Sequence, residues 1–129
     1  MDICLDTNAF SSGPEFFIWI VKRNVKSYIS AHAFMELSYY EMRRANGSMI
    51  HFMNTINGLG VEIVPFDRTQ ALIAAKNALL KYDLSNNAVD YAIGSYAYRR
   101  KIPLVTNNKK HFQWLEEVYT PVELMEKYQ

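Results

Sequence analysis

The chain has 129 residues, half of them apolar and 21% charged, with a formal net charge of +1. Those numbers suit one compact domain with its own core, spanning residues 1–129, and leave no room for a second. They also exclude nucleic-acid binding by whole-molecule charge, so any phosphate contact has to come from a local basic patch.

Residues 2–6, Asp2 to Asp6 with Ile3, Cys4 and Leu5 between, read as a short buried strand that stops where Thr7 and Asn8 supply turn chemistry. Cys4 is the single cysteine and has no partner in the chain, which excludes an internal disulfide and fits a reducing compartment. Pro14 suits a first helical position, and Phe16, Phe17, Ile20 and Val21 give that helix an apolar face before Asn24. A second strand is expected over Lys26 to Ile29. Ser30 then caps a helix running to about Ala45 and ending at Asn46 and Gly47. A helix from about Ser48 to Asn57, closed by Gly58 and Gly60, precedes a strand over Val61 to Val64. Asp67 with Gln70 three residues on forms a capping box for a helix whose apolar positions include Ala71, Leu72, Ala75, Ala78 and Leu79. Ser85 is a cap for a further helix to about Arg100, followed by a strand over Pro103 to Thr106. Asn107 to Phe112 read as a loop, Val118 and Tyr119 as an edge strand, and Pro121 to Tyr128 as a last helix. This alternation of strand and helix, with few hairpin signals, predicts a mostly parallel sheet covered by helices. No stretch approaches the ~20 apolar residues of a membrane span, and the N-terminal run lacks the charged flank and length of a signal peptide; a soluble, cytoplasmic chain is expected.

Parallel α/β sheets place ligands beyond the carboxyl ends of their strands. Asp6, Ser30, Asp67 and Thr106, with Asn107 and Asn108, occupy those ends. A carboxylate at such an edge can reach a crevice without burying its charge in the sheet, although Asp6 could equally cap a turn. Glu36 lies at the edge of an apolar helix face between Met35 and Leu37, where it could hold a cation or pair with Arg43 or Tyr40. Asp90 borders the small-residue flank of Ile93, Gly94 and Ala97, which would let its helix approach the sheet; an acidic residue near a helix N-terminus is also favourable by itself. Two basic clusters, Arg99 to Lys101 and Lys109 to His111, bracket the late strand and could hold phosphates.

Taken together, Leu5 to Phe10, Glu36 in the helix after Ser30, Val89 to Gly94, and Leu104 to Asn108 resemble the motif series of the PIN-domain family, in order and spacing, over essentially the whole chain. The family includes the VapC-type toxins of toxin–antitoxin pairs. The resemblance implies a three-layer α/β/α fold and a metal-dependent ribonuclease using Mg2+ or Mn2+. It makes Asp6 and Asp90 metal ligands, with Glu36 bound directly or through water. Asn108 stands where many members carry a fourth acid, and it supplies a carbonyl oxygen without a charge. Asn8, Thr106 and Lys109 are assigned to the substrate. Cleavage would be hydrolytic, without a covalent intermediate, and His32, His51 and His111 are expected to lie away from the chemistry. An antitoxin protein and a homodimer are the implied partners, with Phe16, Phe17 and Trp19 or Tyr39 and Tyr40 as candidate contact residues. Two alternatives stay open: a PIN-like module that binds RNA or protein without cutting, and a phosphoacceptor regulatory domain using Asp6 and Asp67.

Overall fold

The computed structural model describes Met1–Gln129 and contains five strands: β1 (Asp2–Leu5), β2 (Lys26–Ser30), β3 (Glu62–Val64), β4 (Leu104–Val105) and β5 (Val118–Tyr119). They form one all-parallel sheet in the order β3-β2-β1-β4-β5. The helices are α1 (Pro14–Lys22), α2 (Ala31–Arg44), α3 (Ile50–Leu59), α4 (Arg68–Leu79), α5 (Leu84–Arg100) and α6 (Pro121–Lys127). The connections β1 to β2 and β2 to β3 step one way along the sheet, and β3 to β4 and β4 to β5 step the other. Right-handed crossovers therefore put helices on both faces and create the three-layer α/β/α arrangement. On one side α1 packs against α3 and α6, while α4 pairs with α5, which lies over β1 and β2.

β1 is the centre of the core: Ile3, Cys4 and Leu5 are wholly buried. The Ile3 and Leu5 side chains each contribute about 1.5–3 kcal/mol relative to exposure, which holds the strand although it has only four residues. Burial also pushes the Cys4 thiol up to about 12, with the nearby Asp6 charge adding to the effect. Cys4 is thus an inert core residue.

Local signals explain most helix boundaries. Gly13, at φ +95°, turns the chain into α1, where Pro14 occupies the first helical position. The Ser30 hydroxyl accepts the Ala33 N–H at 3.0 Å, and Asp67 and Gln70 form the expected reciprocal box. A second box, Thr120 with Glu123, opens α6. Three expectations change. Gly58 lies inside α3, and Gly60 alone, in the left-handed region at φ +68°, ends it. α5 begins at Leu84 behind Asp83, not behind a Ser85 cap. The helix also breaks at Asn87 (φ −131°), whose side chain bonds back to Asp83 at 3.1 Å. Asp90 consequently sits in the first turn after that kink. Two short 3-10 turns complete the chain: one over Thr7–Ser11, and one over Lys109–Phe112 within the expected loop.

Gly94 has a different role from the one its sequence neighbourhood implies. A Cβ there would come within 2.6 Å of Cζ2 and 2.8 Å of Cη2 of Trp114, with Phe112 at 3.3 Å. The indole, carried by the β4–β5 connection, is held between Tyr91 and Tyr98 at ring-centroid distances of 5.3 and 6.0 Å. It has little room to yield. Gly94→Ala gains about 1 kcal/mol of helix propensity but overpacks this contact at a cost of about 1–3 kcal/mol. A net loss of stability is expected in urea unfolding; a gain would show that the indole is free to move.

Candidate active site

The strand order reverses between β1 and β4, and residues from both strand ends meet there. Asp6 follows β1 and is only 5% exposed; Thr106 follows β4 and is fully buried. The Thr106 hydroxyl donates to Asp6 Oδ2 at 2.8 Å, and the Thr7 N–H donates to Oδ1 at 2.7 Å. The turn-capping role and the crevice role of Asp6 therefore coexist. Thr106 Oγ1 also accepts the Asn108 N–H at 3.0 Å, which fixes the loop after β4. Asn8 ties the two strand ends together from the other side: its Oδ1 accepts the Asn107 N–H at 2.9 Å and lies 3.3 Å from Thr106 Oγ1.

Glu36 arrives from α2, where it accepts the Thr7 hydroxyl at 2.6 Å and takes no hydrogen bond from Arg43 or Tyr40. Asp6, Glu36, Asp90, Asn8 and Asn108 all line one crevice of about 660 Å³. No lysine or arginine pairs with any of the three carboxylates. Burial holds the Asp6 carboxyl above its usual range. The Thr106 and Thr7 hydrogen bonds oppose that shift, and the charges of Asp90 and Glu36 add to it. The three carboxylates thus carry no lysine or arginine partner and line the crevice with hard oxygen donors, the donor class that Mg2+ and Mn2+ take. In this arrangement no three His, Cys, Asp or Glu side chains are gathered into a set that could hold a metal ion. Each carboxylate has a neighbour of its own: Thr106 and Thr7 for Asp6, Thr7 for Glu36 and His111 for Asp90. The donors fit such an ion in kind.

The expected basic flanks are only partly there. Arg99 pairs with Asp67 at 2.9 Å and Arg100 with Asp2 at 2.8 Å. Arg100 also lies over the Tyr28 and Tyr96 rings at 5.0 and 5.6 Å. These residues end α5 about 15 Å of helix beyond Asp90, beside the start of β1, so they do not flank the crevice. Lys101 follows them at the helix C-cap. Lys109 is drawn to Glu123 at 3.0 Å and is not among the residues lining the crevice. Arg44, absent from the expected set, does line it, held by Glu41 through two 2.8 Å contacts.

The expectation that histidines stand away from the site is also corrected. His51 lines the crevice, and His111 Nδ1 lies 2.9 Å from Asp90 Oδ2 and 3.0 Å from Asn108 Nδ2. One sequence signal was present: His111 follows Asn108 by three residues, which is one turn of the 3-10 helix that carries it. Asp67, by contrast, is engaged by its capping box and by Arg99, and it is not among the residues lining the crevice.

A parallel α/β/α fold with an acid-lined crevice at its switch point defines the class of protein. The PIN domain model matches residues 3–117, and the chain belongs to the PIN-domain family. No protein of curated function matches the sequence. Among solved structures, VapBC2 from Rickettsia felis, bound to a DNA fragment from their promoter, is similar with a TM-score of 0.67 at 20% identity, over 92% of this chain and 97% of that one. VapBC-1 from nontypeable Haemophilus influenzae gives 0.67 at 22% identity, over 95% and 99%. FitAcB from Neisseria gonorrhoeae gives 0.67 at 24% identity, over 93% and 98%. These likenesses establish the fold. No helix of the chain is long and apolar enough to cross a membrane.

Proposed function

We propose that this chain is a divalent-cation-dependent ribonuclease acting as the toxin of a toxin–antitoxin pair. The observation that carries the reading is that Asp6, Glu36 and Asp90, after β1 and from α2 and α5, line one crevice with no lysine or arginine paired to any of them. Asp6, Glu36 and Asp90 would hold Mg2+ or Mn2+, with Asn108 contributing its amide oxygen. The chemistry supplied by such a cation is Lewis-acid polarisation of a phosphoryl oxygen and acidification of water. Thr106 and the Thr7 amide orient Asp6, Thr7 orients Glu36, and Asn8 holds the two strand ends at a constant separation. Backbone phosphates of the RNA would meet Asn8 and Arg44 at the crevice wall, with Lys109 reaching it on release from Glu123.

The solved structures it resembles include VapBC and FitAB structures and a toxin–antitoxin complex from Klebsiella pneumoniae, which supports an antitoxin partner. Of the expected contact residues, Phe16 is wholly buried in the core and is withdrawn; the exposed apolar side chains Ile18 and Val21 of α1 and Met35, Tyr39 and Tyr40 of α2 offer surface for such a protein or for a second copy of the chain. A cytoplasmic, single-domain protein accords with this role.

Incubation of the purified chain with a panel of structured and unstructured RNAs is expected to give cleavage with Mn2+ or Mg2+ and none in EDTA, with activity restored by excess metal. Asn108 in the fourth-acid position favours one competing reading, a PIN-like module that binds RNA or protein without cutting. Retention of RNA with no cleavage under any metal would select that alternative.

A further inference from the structure

The crevice contains one group of contacts that the carboxylate scheme leaves unexplained. His111 Nδ1 is within hydrogen-bonding distance of both Asp90 Oδ2, at 2.9 Å, and Asn108 Nδ2, at 3.0 Å. A single ring nitrogen cannot serve both. If it carries a proton it donates to Asp90 and faces the donor NH2 of Asn108; if it is bare it accepts from Asn108 and its lone pair faces a carboxylate oxygen. Turning the Asn108 amide by half a turn brings its Oδ1 towards the same nitrogen; an Nδ1–H can then be shared between the two oxygens, and with the proton on Nε2 three electron-pair donors converge: an imidazole nitrogen, a carboxylate oxygen and an amide oxygen. Adjacent ligands of an octahedral ion bound at about 2.1 Å lie roughly 3.0 Å apart. The two separations observed here have that size.

We infer that His111 is a metal ligand, so that a nitrogen donor stands beside Asn108 where the acid is missing and biases the site towards Mn2+ over Mg2+. The inference rests on the cation-dependent reading above. The chain supplies the position by placing Phe112 wholly in the core, which seats the 3-10 turn, while the neighbouring His111 side chain stays 37% exposed at the crevice rim. Mn2+ accepts an imidazole nitrogen more readily than Mg2+, which keeps to oxygen ligands and water, and the first-row ions after Mn2+ take one more readily still. In the ligating form His111 presents the Nδ1 lone pair and carries its proton on Nε2. His51, the other histidine at the crevice, makes no hydrogen bond or ion pair with any of the three carboxylates and does not share this role.

The test is Mn2+ binding to the full chain, followed by electron paramagnetic resonance with pulsed detection of nitrogen hyperfine coupling. Wild-type protein is expected to bind Mn2+ with a 14N coupling. His111→Gln should lose the coupling and bind Mn2+ about tenfold or more weakly, with a smaller change for Mg2+ measured by competition. His51→Gln should retain both the coupling and the affinity. The exposure of His111 makes His111→Gln compatible with folding, which circular dichroism verifies. Mn2+ binding without 14N coupling, or a coupling that survives His111→Gln, overturns the His111 assignment and leaves the cation-dependent reading standing. Absence of any Mn2+ binding overturns both.

Discussion

Asp6→Asn is expected to reduce metal-dependent RNA cleavage by a factor on the order of 10² or more, the scale on which removal of one electrostatic group is felt in a preorganised site. It should do so without unfolding the protein. The fold does not need a charge at this position: the amide oxygen of the variant can still accept the Thr7 N–H, and Thr106 Oγ1 can accept from the new NH2 while its proton turns to Asn8 Oδ1, 3.3 Å away. The carboxylate is a burden in the metal-free state, because burial and the charges of Asp90 and Glu36 raise its pKa despite two good hydrogen bonds. The sign follows from linkage. Where the folded pKa lies above the unfolded one, the folded state binds more protons, so stability falls as pH rises from the unfolded value through the folded one. In EDTA, wild type should therefore lose stability relative to Asp6→Asn as pH rises through the carboxylate range and stay the less stable of the two at neutral pH. Thermal unfolding of both proteins at several pH values measures this. An Asp6→Asn protein that still cleaves would remove Asp6 from the mechanism; one that is much less stable than wild type in EDTA would show that the carboxylate is structural.

The largest effect on stability is expected at Phe112. The ring is wholly buried, it belongs to the main core cluster, and it is the one buried residue of the 3-10 turn Lys109–Phe112. Phe112→Ala should cost about 3–5 kcal/mol through lost burial and the cavity left behind, a large share of the roughly 5–15 kcal/mol that holds a domain folded. In thermal unfolding this corresponds to a drop on the order of 10 °C or more. Phe112→Leu, which keeps most of the apolar volume, should lose much less. A loss below about 1 kcal/mol for the alanine variant would mean that the turn is not anchored through this ring. The same anchor sets the rim of the crevice, since Asn108 and His111 sit at either end of the segment that Phe112 pins down.

Much of the site was legible because its parts are marked locally. A buried apolar strand ending in Asp6, a serine cap placing Glu36 in a helix, and a strand ending in Thr106 are signals written within a few residues of each position. The parallel arrangement then carries those strand ends to one rim. Asp6, Glu36 and Asp90 line a common crevice there, without being gathered into a set that could hold a metal ion. Lys109 and the cluster from Arg99 to Lys101 were harder, because a lysine or arginine beside a motif in sequence carries no information about which acid it will find in space. Arg100 finds Asp2, 98 positions away.

Sequence by itself determined the order of elements, the helix caps at Ser30 and Asp67, the parallel α/β class and the acidic positions, since each depends on backbone preferences and apolar periodicity among near neighbours. Only the tertiary structure decided that Gly94 makes room for Trp114, that Arg44 and not Arg100 reaches the crevice, and that His111 stands against Asp90. Those outcomes depend on which surfaces of α2, α5 and the β4–β5 connection meet once the core closes. That packing joins residues 21 to 100 positions apart, and no local preference encodes it.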